Sequence, residues 1–314
     1  MAGLGHARTG SCGPPRAKAA PTCRQSCDRE SVSPVAAQSS VTLVGRARHR
    51  LRTHVTEHPA LYIPFATVKR ALRVDVRDLQ RQVISSSTEL VIEGYTRCGT
   101  TFAVYALQLS QGRPVRLAHH WHAPAQLIEA AHRKIPALLV IRRPEEAILS
   151  QLIREPNVTL RDALVAYSRF YECLLPYRHR FVVGEFEQVT HDFGLVIRRL
   201  NVRFGTSFAE FVHTEANVRE CLELIKLRGT LSKTLFGFES GEVSREQLER
   251  EVQSVGGAKL LDARDVWDTK DAWVPSEDRT RAKTALREQW LQQPSLAKLR
   301  ERAQLVYQAH VDGT

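Results

Sequence analysis

The chain reads ELVIEGYTRCGTTF from residue 89 to residue 102. Its first five residues are apolar at the centre, which predicts a short buried strand that ends at Gly94. Gly94 and Gly99 enclose four residues and are followed by two threonines, at the spacing of a phosphate-binding P-loop. A helix is predicted from about residue 100 to residue 111. A glycine-flanked loop between a strand and a helix aims backbone N–H groups and the positive end of the helix dipole at an anion.

The loop differs from that of nucleoside triphosphatases at one position. Thr100 occupies the place of the lysine that contacts the β- and γ-phosphates, and a hydroxyl cannot replace that charge. Arg97, inside the loop, is the candidate to supply a cation, and the hydroxyls of Thr100 and Thr101 can donate hydrogen bonds to a bound phosphate. The alternative is a tight turn whose two glycines match the spacing by chance.

Further strands and helices alternate after this stretch. Short apolar runs predict strands at residues 115–118, 137–141 and 180–184. Helical patterns cover residues 125–133, a segment from Pro144, and residues 188–204, 215–227, 244–253 and 277–311. Short apolar strands separated by helices are typical of a parallel sheet covered on both faces. We therefore predict an α/β fold, a three-layer sandwich with a central parallel sheet.

A second polar group follows the predicted strand at residues 137–141, in the position where parallel sheets place their sites. The chain reads RRPEEAILS from residue 142 to residue 150. Pro144 suits the first turn of a helix, so Arg142 precedes this helix and Ser150 lies about two turns inside it. The two side chains can bind a second anionic group if they converge. The alternative is a surface arginine with no ligand, which is the more frequent case.

A third polar group, AHHWHAP, occupies residues 118–124. Adjacent residues of an extended segment point to opposite faces, so we expect His120 and His122 to share one face and His119 to lie on the other. No Asp, Glu or Cys nearby in the sequence completes a set of zinc ligands, and we predict no metal site. A single histidine at a strand end beside a phosphate loop is better suited to act as a general base.

Together and in this order, the three segments resemble the sulfotransferase family that uses 3′-phosphoadenosine 5′-phosphosulfate (PAPS). The family's phosphosulfate loop typically reads Pro, Lys or Arg, Ser, Gly, Thr, Thr and Trp, and this chain has TRCGTTF at residues 96–102. The family's catalytic histidine lies in a Thr-His-x-Pro segment, which WHAP at residues 121–124 resembles. The family also holds the 3′-phosphate with an arginine and a serine eight positions later, a spacing that Arg142 and Ser150 share. The likeness covers about residues 88–205.

The resemblance implies a P-loop-like phosphosulfate-binding loop and a role for each matching residue. His122 and Arg97 are expected to be catalytic, with His122 as the general base. The co-substrate PAPS, released as 3′,5′-adenosine bisphosphate, is expected to contact Arg97, Cys98, Gly99, Thr100, Thr101, Phe102, Arg142 and Ser150. The implied reaction transfers a sulfuryl group, without a metal, to a hydroxyl or amine of a small-molecule or glycan acceptor. The family's C-terminal Arg-Lys-Gly phosphate loop has only a weak counterpart, KLRG at residues 226–229.

Three other functions stay open on the sequence. A P-loop nucleotide kinase would share the loop, but Thr100 stands at the position of its lysine. A catalytically inactive relative would bind nucleotide without turnover. A nucleic-acid-binding protein is suggested by the net charge of +11, but residues 1–54 hold nine Lys and Arg and two acids, which leaves only +4 for the remaining 260 residues. Nucleic acid is therefore expected at most as a weak partner of this segment.

The same segment sets the predicted domain organisation. Residues 1–54 are rich in Pro, Ser, Ala and Gly, which predicts a disordered basic tail before an α/β domain over residues 55–314. No apolar run has the length of a membrane-spanning helix or the form of a secretory signal, so we predict a cytoplasmic location without a membrane span. Six cysteines at irregular spacings predict no disulfide framework. The sequence leaves the oligomeric state open.

Overall fold

A computed structural model describes the chain at residues 43–72, 81–155, 157–228, 231–255 and 277–312. These residues belong to one compact unit. Residues 1–42 of the predicted tail lie outside the described residues. Of the six cysteines, Cys98, Cys173 and Cys221 are described, and each is a free thiol.

The last part of the predicted tail is folded. Helix α1 (Leu43–Val55) lies on the body of the protein, where Arg46 and Arg50 each place Nε 3.0 Å from a carboxylate oxygen of Asp162. Asp162 is buried, and the two guanidinium groups, with a neighbouring hydroxyl, lower the pKa of its carboxyl although burial acts in the opposite direction. The boundary predicted at residue 54 therefore falls inside a helix, because arginines that the composition assigns to a solvated tail pair with an acid more than 100 residues away.

Four parallel strands form the sheet of the described residues: β1 (Leu90–Gly94), β2 (Leu117–His119), β3 (Ala137–Ile141) and β4 (Val182–Glu185), in the order β2-β1-β3-β4. Almost every strand residue is buried, so both faces of the sheet are covered. The register pairs Leu90 with Leu117 and Val91 with Ala137. The predicted parallel sheet of an α/β fold is confirmed.

Helices connect and cover the strands. Before the last strand, the helices after α1 are α2 (Pro59–Ala71), α3 (Thr100–Ser110), α4 (Pro124–Arg133), α5 (Pro144–Arg154), α6 (Leu160–Glu172) and a 3₁₀ helix (Leu175–Arg180). The last strand is followed by α7 (Phe186–His191) and α8 (Phe193–Phe204). The C-terminal third adds α9 (Glu215–Leu227), α10 (Ser232–Ser240), α11 (Arg245–Val255), α12 (Glu277–Gln292), a 3₁₀ turn (Pro294–Leu296) and α13 (Ala297–Val311). Among the described residues, no helix is both long enough and apolar enough to cross a membrane.

Two segments predicted as single helices are each divided. The segment predicted at residues 188–204 breaks at Asp192, whose carboxylate accepts a hydrogen bond from the Leu195 N–H and caps the second helix. The segment predicted at residues 277–311 breaks at the turn that begins with Pro294, which cannot continue a helix through its ring nitrogen. Both breaks follow from local chemistry that the apolar periodicity does not register.

The sheet order brings the three polar groups together. Because β1 lies between β2 and β3, the loop after β1 is flanked by the segment after β2 on one side and the segment after β3 on the other. All strands are parallel, so these three segments leave the same edge of the sheet. The candidate site is therefore assembled at this edge.

Candidate anion-binding and active site

The loop after β1 turns sharply between strand and helix. Gly99 has φ of +92°, and a Cβ there would lie 3.0 Å from the ring of Phe186, so only glycine fits. A Cβ at Gly94 would clash with the Val140 carbonyl group of the neighbouring strand. The two glycines that define the loop in the sequence are thus both required by its geometry.

Left-handed backbone is concentrated at this edge. Among the described residues, the four non-glycine positions with positive φ are Arg97, His120, His122 and Lys134. The first three lie in the segments that follow β1 and β2. Such conformations cost of order 1–3 kcal/mol each and cluster at binding and catalytic sites, where the surroundings hold them in place.

Tyr171 of α6 supports the loop from the core side. Its hydroxyl donates to the Val140 carbonyl at 3.1 Å and accepts from the Tyr95 N–H at 3.3 Å. The Cys98 thiol lies 3.3 Å from the same hydroxyl, and burial raises the pKa of this thiol to about 11. The Cys98 side chain therefore points into the core, and only its backbone N–H is positioned to contact an anion in the loop.

The threonines and the phenylalanine that follow occupy three different environments. The Thr100 hydroxyl is buried and has no hydrogen-bond partner among the described residues. The Thr101 hydroxyl lies 3.0 Å from Nε2 of His120. Phe102 is buried against Phe211 in an edge-to-face contact, with the ring centroids 6.1 Å apart. Buried hydroxyls are nearly always hydrogen-bonded in native proteins, so the Thr100 oxygen is the atom of this loop that most clearly calls for a ligand.

The side chains that follow β3 converge on the loop. Arg97 donates from Nε to the Ser150 hydroxyl at 3.1 Å. Arg142 donates from Nη1 to the Arg97 carbonyl at 3.2 Å, and its guanidinium carbon lies 3.8 Å from the centre of the Phe186 ring. The Nε of Arg142 is buried without a hydrogen-bond partner in the described part of the chain. Two arginines and a serine thus form one cationic, hydroxyl-bearing group.

His122 lies on the other side of the loop, and its ring is oriented by one carbonyl acceptor. Its Nδ1 is 2.9 Å from the Gly94 carbonyl, which can only accept, so Nδ1 carries the proton and Nε2 keeps its lone pair. Burial lowers the pKa of His122 to about 4. The ring is therefore neutral at physiological pH and can accept a proton at Nε2.

Glu93 holds this turn in place, and sequence reasoning missed it. Its two carboxylate oxygens accept the Trp121 N–H at 2.9 Å and the His122 N–H at 3.0 Å. Burial raises the pKa of Glu93 to about 8. The available signal was a lone acid in an otherwise apolar, buried strand, which requires specific partners.

His119 and His120 are buried, and the His120 ring meets the His122 ring edge to face with the centroids 6.2 Å apart. The prediction that His119 lies on the opposite face from His120 is wrong: their Nδ1 atoms are hydrogen-bonded to each other and the ring centroids are 4.6 Å apart. The reason is the φ of +64° at His120, which ends the extended backbone that the prediction assumed. Burial lowers the pKa of His119 to about 3.

The rings of His119 and His120 are connected to the loop by hydrogen bonds. The Nδ1 atoms of His119 and His120 are hydrogen-bonded to each other, and Nε2 of His119 is buried. Nε2 of His120 lies 3.0 Å from the Thr101 hydroxyl. Thr101 is thus the side chain through which the two histidines contact the loop.

A buried ion pair lies behind these histidines. Arg228 donates from Nε to Glu239 at 2.7 Å and from Nη2 at 3.0 Å, and the Tyr105 hydroxyl donates to the same carboxylate at 2.7 Å. His119, His120 and Glu239 place possible metal-ligand atoms within 4.8 Å of one another, an arrangement that the sequence does not reveal because Glu239 is distant in the chain. The carboxylate is already paired with a guanidinium, so we interpret this cluster as a structural network. Arg228, the weak counterpart of a phosphate-loop arginine, is committed to it.

No protein-family model, curated protein or solved structure matches the chain. The function is therefore inferred from the chain's own residues. Those residues form two cationic or hydroxyl-bearing segments, after β1 and β3, and one neutral histidine after β2, all at a single edge of the sheet.

Proposed function

We propose that the protein is a sulfotransferase that transfers a sulfuryl group from PAPS to a hydroxyl or amine acceptor. The observation that carries this proposal is that Arg97, Arg142 and Ser150 are joined by hydrogen bonds at the same sheet edge as His122, whose Nδ1–H donates to the Gly94 carbonyl and leaves Nε2 unprotonated. A donor with a 5′-phosphosulfate and a separate 3′-phosphate needs two anion-binding segments, and its acceptor needs a base. The three segments supply these groups.

Two buried polar atoms support the fit of such a donor. The Thr100 hydroxyl and Nε of Arg142 are buried without hydrogen-bond partners in the described residues, although such groups are nearly always satisfied in native proteins. Phosphate oxygens would satisfy both. By the resemblance to PAPS-dependent sulfotransferases, the loop with Arg97 would hold the 5′-phosphosulfate, and Arg142 with Ser150 would hold the 3′-phosphate.

PAPS supplies an activated bond between sulfur and the bridging oxygen of its 5′-phosphate. His122 accepts the acceptor's proton at Nε2 while the acceptor oxygen or nitrogen bonds to sulfur. Arg97 and the loop N–H groups stabilise the phosphate that receives the electron pair of the broken bond. Arg142 and Ser150 hold the donor in position through its other phosphate, which reduces the entropic part of the barrier. The products are a sulfated acceptor, 3′,5′-adenosine bisphosphate and one proton.

The loop favours this donor over a nucleoside triphosphate. A P-loop kinase uses a lysine and Mg²⁺ on the β- and γ-phosphates, and this chain has Thr100 where that lysine would stand. The Thr100 hydroxyl is also buried, so it does not extend across a phosphate chain as a lysine does. The cation of this loop is Arg97, which lies on the side of Ser150.

Thermal unfolding with 3′,5′-adenosine bisphosphate tests the donor site without any knowledge of the acceptor. At about 100 times its dissociation constant, a ligand adds roughly 2.7 kcal/mol of stability, which raises the melting temperature measurably. We expect a shift with the bisphosphate and none with ATP and Mg²⁺. Arg97→Gln should reduce the shift, and Arg133→Gln, which changes an exposed arginine on α4, should leave it unchanged.

The remaining outcomes contradict the proposal. A shift with ATP and Mg²⁺ alone would indicate a kinase. No shift with either nucleotide, in a protein that unfolds cooperatively, would exclude a PAPS site at this edge. A shift with the bisphosphate but no turnover of PAPS across a broad screen of hydroxyl and amine acceptors would favour an inactive nucleotide-binding relative.

A further inference from the structure

Helix α2 presents an uncharged face to solvent. Leu61, Phe65, Val68 and the adjoining Leu72 are between 56% and 68% exposed. They recur at i, i+4, i+7 and i+11, which places them in one row along the helix. The other exposed positions between residues 60 and 72 are Ala60, Pro64, Thr67 and Ala71, so none is charged. We call the row of Leu61, Phe65, Val68 and Leu72 the α2 stripe.

This arrangement differs from the other exposed apolar side chains of the described residues. Leu195 and Val202 are exposed on α8, Val212 is exposed in the segment between α8 and α9, and Leu291 and Leu305 are exposed singly on α12 and α13, so none of these helices carries more than two such side chains. Single exposed apolar residues are ordinary on a protein surface, whereas a contiguous apolar row indicates an interaction site. The α2 stripe therefore requires an explanation that the others do not.

The opposite face of α2 is firmly packed. Tyr62 and Ala66 are buried, and the Tyr62 ring meets Trp121 edge to face with the centroids 5.7 Å apart. The Thr56 carbonyl, just before the helix, accepts a hydrogen bond from the Ala125 N–H at 3.0 Å. The helix is thus anchored beside the turn that holds His122. The stripe remains exposed on a helix whose position is already fixed by its other face.

The segment of chain that carries the stripe is strongly basic. Residues 43–72 hold six Lys and Arg and one acid, a net charge of +5 out of +11 for the whole chain in about a tenth of its length. Two of these cations, Arg46 and Arg50, pair with Asp162, while Arg48 and Arg52 are exposed on α1. Leu51, between them, is 65% exposed. Apolar side chains flanked by arginines are typical of helices that lie in the interface of an anionic membrane.

We infer that the α2 stripe and the basic helix α1 form a docking surface for an anionic lipid bilayer. The stripe is a row of aliphatic and aromatic side chains, and the neighbouring Arg70 on α2 is paired with Glu242, so the row offers few directional contacts for a specific protein partner. A bilayer accepts apolar side chains without shape complementarity, and its anionic headgroups attract the arginines at about 1 kcal/mol per cation near the surface. Docking would hold the adjacent sheet edge close to the membrane.

Vesicle flotation with the full chain tests this surface. The protein is mixed with vesicles of phosphatidylcholine alone or of phosphatidylcholine with phosphatidylserine. We expect flotation with the phosphatidylserine vesicles only, and its loss as salt is raised. The variant Leu61→Ser/Phe65→Ser/Val68→Ser should bind these vesicles at least about tenfold more weakly, because it removes buried apolar area. The matched variant Val202→Ser/Val212→Ser/Leu305→Ser, which changes three apolar side chains exposed elsewhere, should bind like the wild type.

A second variant separates charge from apolar contact and protects the test against misfolding. Arg48→Glu/Arg52→Glu leaves the stripe intact and should also weaken flotation by at least about tenfold. Each variant is first checked for cooperative thermal unfolding. Failure of the wild type to float with phosphatidylserine vesicles overturns the proposal, as does equal binding by the stripe and matched variants. A dimer in solution that the stripe variant dissociates, without flotation, would assign the surface to a second copy of the chain instead.

Discussion

The turn after β2 places His122 and the pair of His119 and His120 in different surroundings. His122 faces the loop after β1, where the Gly94 carbonyl fixes its Nδ1 proton and Nε2 is left for a reacting group. His119 and His120 are hydrogen-bonded to each other, and His120 lies between the buried pair of Arg228 and Glu239 and the Thr101 hydroxyl of the loop. Burial lowers the pKa of the ring in both regions, so titration does not distinguish them. The difference lies in the ring contacts, because His122 is hydrogen-bonded to a carbonyl group of the loop, whereas His119 and His120 are hydrogen-bonded to each other.

Replacing His122 should have the largest effect on activity. His122→Ala removes the proposed general base, and kcat for sulfuryl transfer should fall by about 10²–10⁴-fold. The dissociation constant of 3′,5′-adenosine bisphosphate should stay within about twofold, because His122 acts on the acceptor. Steady-state kinetics with PAPS and calorimetry with the bisphosphate measure the two quantities. The control is His132→Ala, an exposed histidine on α4, and a loss of less than about tenfold for His122→Ala would remove the base from this account.

Breaking the buried pair should have the largest effect on stability. Arg228→Met leaves the Glu239 carboxylate buried without its cation, which should cost about 3–5 kcal/mol of unfolding free energy. The matched change is Arg198→Met, which breaks the exposed pair with Glu210 and should lower the unfolding free energy far less than Arg228→Met does. Urea unfolding of both variants gives the comparison. Equal losses of unfolding free energy in the two variants would show that the buried pair of Arg228 and Glu239 stabilises the fold no more than an exposed pair does.

Thr101 connects the two regions and should show a smaller effect. Thr101→Val keeps the shape of the side chain and removes the hydroxyl that is hydrogen-bonded to His120. One hydrogen bond to a charged group is worth about 1.5–3 kcal/mol, so the affinity for 3′,5′-adenosine bisphosphate should fall by about ten- to hundredfold. Thr284→Val on α12 serves as the control. Unchanged affinity would place the hydroxyl outside the anion site and separate the two regions.

The smallest effect expected is that of His122 titration on kcat/KM near neutral pH. Protonated His122 cannot accept a proton, so kcat/KM should fall as pH decreases through the pKa of about 4 that burial imposes on the free protein. Between pH 6 and pH 7 this histidine should contribute almost no pH dependence. An acid limb with a midpoint near the ordinary histidine value of about 6.5 would show that the ring is not held neutral as described.

Features encoded by short stretches of sequence are predictable. The strand at residues 137–141 has the predicted bounds, and the helix predicted at residues 215–227 is observed as Glu215–Leu227. The sequence also singles out Arg142 and Ser150, and in the structure each of them is hydrogen-bonded to Arg97 of the loop. These features depend on apolar periodicity, glycine spacing and proline position, which act over a few residues.

Features that depend on distant partners are not predictable in the same way. The folded state of residues 43–54 depends on Asp162, and the environment of His119 and His120 depends on Arg228 and Glu239. The positive φ at His120 is uncommon for a residue other than glycine, and the local sequence pattern gives no sign of it. The sequence predicts the strands, the loop and the histidine segment of the site, but not which histidine faces which region.

The most direct test of the central claim is a calorimetric comparison of 3′,5′-adenosine bisphosphate with adenosine 5′-monophosphate. If Arg142 and Ser150 hold the 3′-phosphate, the wild-type protein should bind the bisphosphate at least about tenfold more tightly, the worth of one hydrogen bond to a charged group. Arg142→Gln should abolish most of this preference, and Arg143→Gln, at the next and exposed position, should preserve it. Equal affinity of the wild-type protein for the two nucleotides, or an unchanged preference in Arg142→Gln, would contradict the proposed site.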